Sequence, residues 1–223
     1  MKLKFLFSLF ALTGVLTSQA QINKGSVLLG GSIGYNKGKS EAYQQTLKVN
    51  TFIFSPAIGV AVKENLVVGA RFDYMKQTQN YKYPASYNTN QDIDAKNYGG
   101  GLFVRRYVPV VNRLYVFGEG TASYTALRET STQTSSNSPT KSVSKLKGYS
   151  TGLSFTPGVS FAVSKKFQIE GGFNSLFNVS YLKSKTNYSY GYGSVQSEKQ
   201  ELFSAGISHD DQSMFYVGFR FVL

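Results

Sequence analysis

One histidine bears most of the covalent chemistry this chain offers. His209 lies in Ser208-His209-Asp210-Asp211, so a nucleophile, a base and two acids are adjacent. A Ser/His/acid hydrolase needs the base within hydrogen-bond reach of the nucleophile and oriented by a third group. Neighbours on a strand point to opposite faces, and this stretch reads as a loop. A solvated loop histidine is therefore expected, and no catalytic residue is assigned. Asp210 and Asp211 offer oxygens to a calcium ion, but such a site takes six or more ligands, and the EF-hand spacing is absent. Gly99-Gly100-Gly101 enters a strand and lacks the helix that follows a nucleotide-binding loop. The chain has no cysteine, and neither C-x-x-C nor H-E-x-x-H occurs. The expectation is a protein that is not an enzyme and has no cofactor and no metal site.

Ionic residues are the second group with chemical potential, and their placement depends on the elements that carry them. Read with a period of two, eight segments stand out: 26–36, 50–62, 66–76, 97–108, 114–127, 148–163, 167–182 and 213–222. Short connections at Lys63-Glu64-Asn65, Pro109 to Arg113 and Ser164-Lys165-Lys166 alternate with long polar regions at 37–49, 77–96, 128–147 and 183–212. That alternation suits a barrel that crosses a membrane, with turns on one side and loops on the other. A soluble sandwich has no reason to sort its loops this way.

Each segment separates its apolar from its polar side chains. Leu66, Val68, Ala70, Phe72 and Tyr74 share one face, with Arg71 and Asp73 on the other. Leu153, Phe155, Val159 and Phe161 oppose Ser154, Thr156 and Ser160. Phe167, Ile169, Phe173 and Phe177 oppose Gln168, Glu170, Asn174 and Asn178, and Val217, Phe219 and Phe221 oppose Arg220. A charge turned to hydrocarbon at mid-membrane costs roughly 2–4 kcal/mol, so the apolar faces are expected outside and the polar faces in the lumen. Arg71, Arg105 and Arg220 then meet Asp73, Glu119 and Glu170 inside, three cations against three anions. Buried charges persist only when paired, and an eight-stranded barrel is just wide enough for side chains to fill. A plugged lumen is expected.

The outward parity also places an aromatic residue on each segment beside a long loop: Tyr35, Phe52, Tyr74, Tyr98, Tyr124, Tyr149, Tyr181 and Phe215. A tyrosine there keeps its ring among acyl chains and its hydroxyl in water. Just beyond this girdle stand Lys76, Lys82, Lys96, Arg128, Lys147, Lys183 and Lys185, where lipopolysaccharide phosphates would lie. Arg106 takes lipid-facing parity near the short-turn end, within reach of the interface. The tract 130–140 (TSTQTSSNSPT) has nothing to bury and reads as a mobile loop. Leu202, Phe203, Ala205 and Ile207 mark a further short strand or helix in the last loop. Residues 54–66 (FSPAIGVAVKENL) echo 155–167 (FTPGVSFAVSKKF), with Pro56 and Pro157 at matching places, which suggests one local bulge used twice.

Residues 1–20 are expected to be a cleaved signal peptide, with Lys2 and Lys4, an apolar stretch from Phe5 to Leu16, and small residues before Gln21. Residues 21–223 then form one barrel domain. The formal charge is +12. For an exported chain that favours anionic lipid head groups as neighbours, and no nucleic acid is expected.

The stretches FSPAIGVAVKENLVVGARFDY (54–74), YGGGLFVRRYVPVVNRLYVFGEGTASY (98–124) and MFYVGFRFVL (214–223) resemble the outer-membrane β-barrel domain family, porin-family proteins related in architecture to OmpA and OmpX. The resemblance covers essentially all of 21–223. It implies an integral protein of the cell outer membrane, placed there by the barrel assembly machinery, and it carries no catalytic set. The fold expected is all-β, an eight-stranded antiparallel up-and-down transmembrane β-barrel. The function expected is a structural or surface-interaction role, as a monomer among outer-membrane lipid and lipopolysaccharide. The alternatives are a narrow channel for small solutes or hydrophobic molecules, and a lipid A-modifying hydrolase.

Overall fold

Side chains that alternate between apolar and polar, on a backbone rich in aromatic, Thr and Val residues, favour extended strands over helices. The computed structural model bears this out. It describes residues 22–42, 45–83, 89–135, 138–173, 175–189, 195–207 and 215–223, with the side chains of 138–140 and 215 outside the description. The leader expected at 1–20 and the Ser208-His209-Asp210-Asp211 cluster lie outside the described residues, as does Asn174.

Three long hairpins come first: β1 (Val27–Ala42) with β2 (Gln45–Lys63), β3 (Leu66–Lys82) with β4 (Thr89–Val111), and β5 (Leu114–Ser135) with β6 (Ser138–Ala162). Four shorter strands follow: β7 (Phe167–Phe173), β8 (Phe177–Ser189), β9 (Val195–Ile207) and β10 (Phe215–Val222). All pairings are antiparallel. Neighbours in sequence pair from β1 through β6, β7 pairs with the lower half of β6 and with β10, and β10 returns to β1. Those eight strands close a ring. Over the length where β1 pairs with β10, closure removes the free strand edge that would otherwise template aggregation.

The seventh segment is more complex than its pattern suggests, whereas the eighth, 213–222, corresponds to β10. The seventh divides into β7 and β8, both paired with β6 but in different registers: Gly158 faces Gly172 below, and Phe155 faces Phe177 above. The two extra residues are accommodated opposite Pro157, where Ser175 takes φ 51° and donates its N–H to Thr156 Oγ1 at 3.2 Å. A proline cannot donate to the ladder, so the interruption falls where a bond is already missing. The Pro56 partner of the echo behaves differently. The β1–β2 and β2–β3 registers run through it unchanged, and only the ladder bonds to β3 lapse at Ser55 and Pro56. The bulge is thus present once, not twice.

The long polar regions are largely strand rather than loop. Pairing continues to Ala42↔Gln45, to Lys82 opposite Asn90, and to Ser135↔Ser138 in the 130–140 tract expected to be mobile. With water on both faces, a strand needs no apolar alternation, and Thr and Ser suit the extended backbone. Residues 195–207 form the additional strand β9, paired with β8 alone among the described residues. Among the described residues the upper half of β1, from Ile33, pairs only with β2.

Candidate functional site

Side chains of opposite parity separate cleanly across the wall. Ile33, Phe72, Leu102, Leu153 and Val217 point out and are exposed, while Leu28, Val67, Phe103, Tyr107, Tyr115 and Phe117 point in and are buried. Two inward glycines make room for the inner aromatics. A Cβ on Gly69 would sit 2.5 Å from Phe103 Cζ, and one on Gly158 would sit 2.4 Å from Phe117 Cζ. The short-turn end is filled by Ile22, Leu28, Ala61, Val67, Tyr107, Tyr115 and Ala162. Ile22 is held there because its carbonyl accepts from Asn65 N–H at 3.0 Å, and Asn65 adopts φ 57° in the tight β2–β3 turn.

Above that apolar layer the six ionic residues expected in the lumen come together. Arg105 Nε and Nη2 each lie 2.7 Å from Glu119 Oε2, and Arg105 Nη1 lies 2.5 Å from Glu170 Oε2 and 3.1 Å from the Tyr107 hydroxyl. Arg220 Nε donates to the same Glu170 oxygen at 2.9 Å. Arg71 Nε bonds Asp73 at 3.0 Å, and its Nη1 stands 3.6 Å from Glu119 Oε1. Arg105, Glu119, Glu170 and Arg220 are all under 4% exposed, so none is stabilised by bulk water. Their formal charges sum to zero, the condition under which such a cluster survives burial. The guanidinium of Arg105 also stacks 4.1 Å over the Phe117 ring, and that of Arg220 lies 5.7 Å from Phe103. Arg220 Nη1 is buried with no hydrogen-bond partner among the described residues, a cost the aromatic face of Phe103 offsets in part.

Over the cluster lies a cavity of about 480 Å³, lined by Arg71, Asp73, Met75 and Tyr216 among others. It also reaches Ile33 and Val217, just past the last β1–β10 pair at Ser32↔Gly218.

On the outer face the expected aromatics Tyr35, Phe52, Tyr74, Tyr98, Tyr124, Tyr149 and Tyr181 all lie outward, several in contact. Tyr35 faces Phe52 and Tyr74 faces Tyr98 in register. Phe52 meets Tyr74 edge-on at 6.4 Å, and Tyr124 stacks on Tyr149 at 5.8 Å. The backbone of Phe215 pairs with Phe173, and its side chain lies outside the description. Arg106 reaches back along the wall to donate to the Glu64 carbonyl at 3.3 Å. Of the seven basic residues, Lys76, Lys96, Arg128, Lys147 and Lys185 occupy directly paired positions. Lys183 is tied to Glu201 at 2.6 Å instead, and Lys82 stands at the far end of β3. Lys199 continues the paired series on β9. Its polar sequence context carries no alternation from which a parity follows.

An antiparallel ring with apolar side chains outward and mutually neutralised charges inward is an outer-membrane-type β-barrel. The arrangement is similar to that of the outer membrane protein OprG from Pseudomonas aeruginosa, with a TM-score of 0.50 and 13% identity over 92% of this chain and 99% of that one. The translocator domain of the autotransporter NalP from Neisseria meningitidis matches with a TM-score of 0.46 and 13% identity, over 98% of this chain and 93% of that one. No protein-family model matches the chain, and no curated protein does. OmpA or OmpX kinship in particular is not among these findings.

Proposed function

We propose that the mature chain is an integral outer-membrane protein with a structural or surface-interaction role, its lumen sealed by paired charges and its long hairpins presented to the exterior. The observation that carries this reading is the inside-out distribution: Arg105 is 2% exposed while Leu102, three residues earlier and outward, is 71% exposed. Only an apolar surround makes that arrangement favourable, since about 25 cal/mol is lost for each Å² of apolar surface left in water. The role is non-enzymatic, resting on buried charges that are all engaged with one another. Export through a cleaved leader at 1–20 belongs to the same proposal.

The test is fractionation combined with gel mobility before and after boiling. A chain that sediments with the outer membrane and migrates differently when unboiled supports the reading. A mature chain that is monodisperse in buffer without detergent removes it. Hydrolase activity that disappears in His209→Ala would overturn the non-enzymatic part.

A second reading, a narrow passage for small solutes, draws support from the cavity of about 480 Å³ above the charge cluster. Planar-bilayer recording separates the two, because a sealed lumen gives no unitary current.

A further inference from the structure

Six cations stand opposite one another on six adjacent strands. Lys76 pairs with Lys96, Lys96 with Arg128, Arg128 with Lys147, Lys147 with Lys185, and Lys185 with Lys199. All six are exposed and share the outward parity. Like charges directly opposite on neighbouring strands repel, so five consecutive such pairs need an anion to be favourable. The chain supplies little of it. Lys96 has Asp94 at 3.7 Å, and Arg128 lies over the Tyr98 ring at 5.2 Å. Glu201, two residues below Lys199, is engaged with Lys183. Glu129 has the inward parity, and among the described residues Lys76, Lys147, Lys185 and Lys199 have no carboxylate within ion-pair distance.

The same six strands carry a second feature below that row. An outward apolar groove is lined by Ala70 on β3, Leu102 on β4, Ala122 on β5, Leu153 on β6, Val179 on β8 and Phe203 on β9. It begins four to six residues from the cations, roughly 13–20 Å along the strands. Between them runs the row Tyr74, Tyr98, Ala126 and Tyr149, also paired in register. Cations, then tyrosines, then a concave apolar surface is the order of chemistry along one amphiphile: phosphate, head group, acyl chain.

We propose that this wall is a binding site for a phosphorylated glycolipid of the outer leaflet, the lipid A part of lipopolysaccharide, with its phosphates on the cation row and an acyl chain in the groove. The proposal rests on the outer-membrane reading, which fixes the leaflet these strands face. Because strands in such barrels tilt by ~35–45°, the row climbs around the wall. Lys96, Arg128 and Lys147 are its middle and stand above Leu102, Ala122 and Leu153, so they are the main phosphate contacts.

The full mature chain, purified in neutral detergent and shown to be heat-modifiable, is titrated with lipid A, with dephosphorylated lipid A, with phosphatidylglycerol and with pyrophosphate, each followed by native mass spectrometry. Lipid A is expected to bind best. The triple variant K96Q/R128Q/K147Q should weaken it about ten-fold, while K37Q/K39Q/K48Q, on the hairpin outside the six strands, changes it less than two-fold. Ala122→Phe fills the groove with a residue suited to a strand, and should weaken lipid A without altering pyrophosphate binding. If Ala122→Phe does not fold, Ala70→Leu reads the same loss.

Equal affinity for lipid A and its dephosphorylated form overturns the proposal, as does an equal loss in the two triple variants. Pyrophosphate competing fully with lipid A, or a dimer through this face that lipid does not displace, overturns it as well. A heat-modifiable barrel giving any of these results leaves the outer-membrane reading standing. A chain lacking heat-modifiability brings both down.

Discussion

Arg105 and Glu170, 65 positions apart in sequence, meet across the lumen at 2.5 Å. The contact exists because β7 lies between β6 and β10, with Glu170 opposite Ser160 and Gly218 on the inward face. The Glu170 oxygen that Arg105 reaches is also the one Arg220 uses.

Glu170→Gln should therefore leave the buried cluster with one uncompensated positive charge, felt most by Arg220, since Arg105 keeps Glu119. Removing one partner of a buried pair costs about 3–5 kcal/mol. The unboiled, fast-migrating form should convert at a distinctly lower temperature than wild type. Conversion at an unchanged temperature would show that the cluster adds nothing to stability.

Gly69→Ala places a Cβ 2.2 Å from the Ile58 carbonyl oxygen and 2.5 Å from Phe103 Cζ. Overpacking of this kind costs about 1–3 kcal/mol or more. The fraction refolded into detergent, read by mobility on unboiled gels, should fall. Gly120→Ala, where a Cβ meets nothing within 4 Å, should refold like wild type.

Leu153→Arg puts a charge on the outward face, where Leu153 is 63% exposed. Near the middle of a bilayer that costs roughly 2–4 kcal/mol. Insertion into lipid vesicles should need markedly less urea to reverse, while Ser154→Thr, facing inward on the next residue, should leave the midpoint nearly unmoved.

Tyr124→Ala breaks the stack with Tyr149 and removes an outward aromatic. The loss expected is about 0.5–1.5 kcal/mol, visible in the same urea series. A Tyr124→Phe protein that matches wild type would assign that energy to the ring rather than to the hydroxyl.

Much of the barrel is legible in the sequence. Period-two alternation assigns Leu153 and Phe155 outward and Thr156 and Ser160 inward, because the pleat admits no other solution. The same parity selected all six ionic residues of the lumen, since an unpaired charge facing hydrocarbon is too costly to persist. What it could not supply was partnership. Glu170 serving Arg105 and Arg220 together follows from strand neighbours fixed by ring closure, which no local pattern encodes.

The misreadings have the same physical origin. Residues 128–147 and 195–207 looked like loops because a strand bathed in water on both faces carries no alternation, although its backbone ladder is as regular as any other. The register change between β7 and β8 is invisible in the sequence because Phe173 and Phe177 keep one parity across a step of four. The cation row emerged only when five separate registers aligned it; in sequence Lys76, Lys96, Arg128, Lys147, Lys185 and Lys199 are merely scattered charges. Sequence alone determined which face of each strand is apolar, a matter of chemistry repeated every second residue. Tertiary structure decided which charges meet and which repel, because those distances are set across strands, where closure of the ring and not chain order chooses the neighbour.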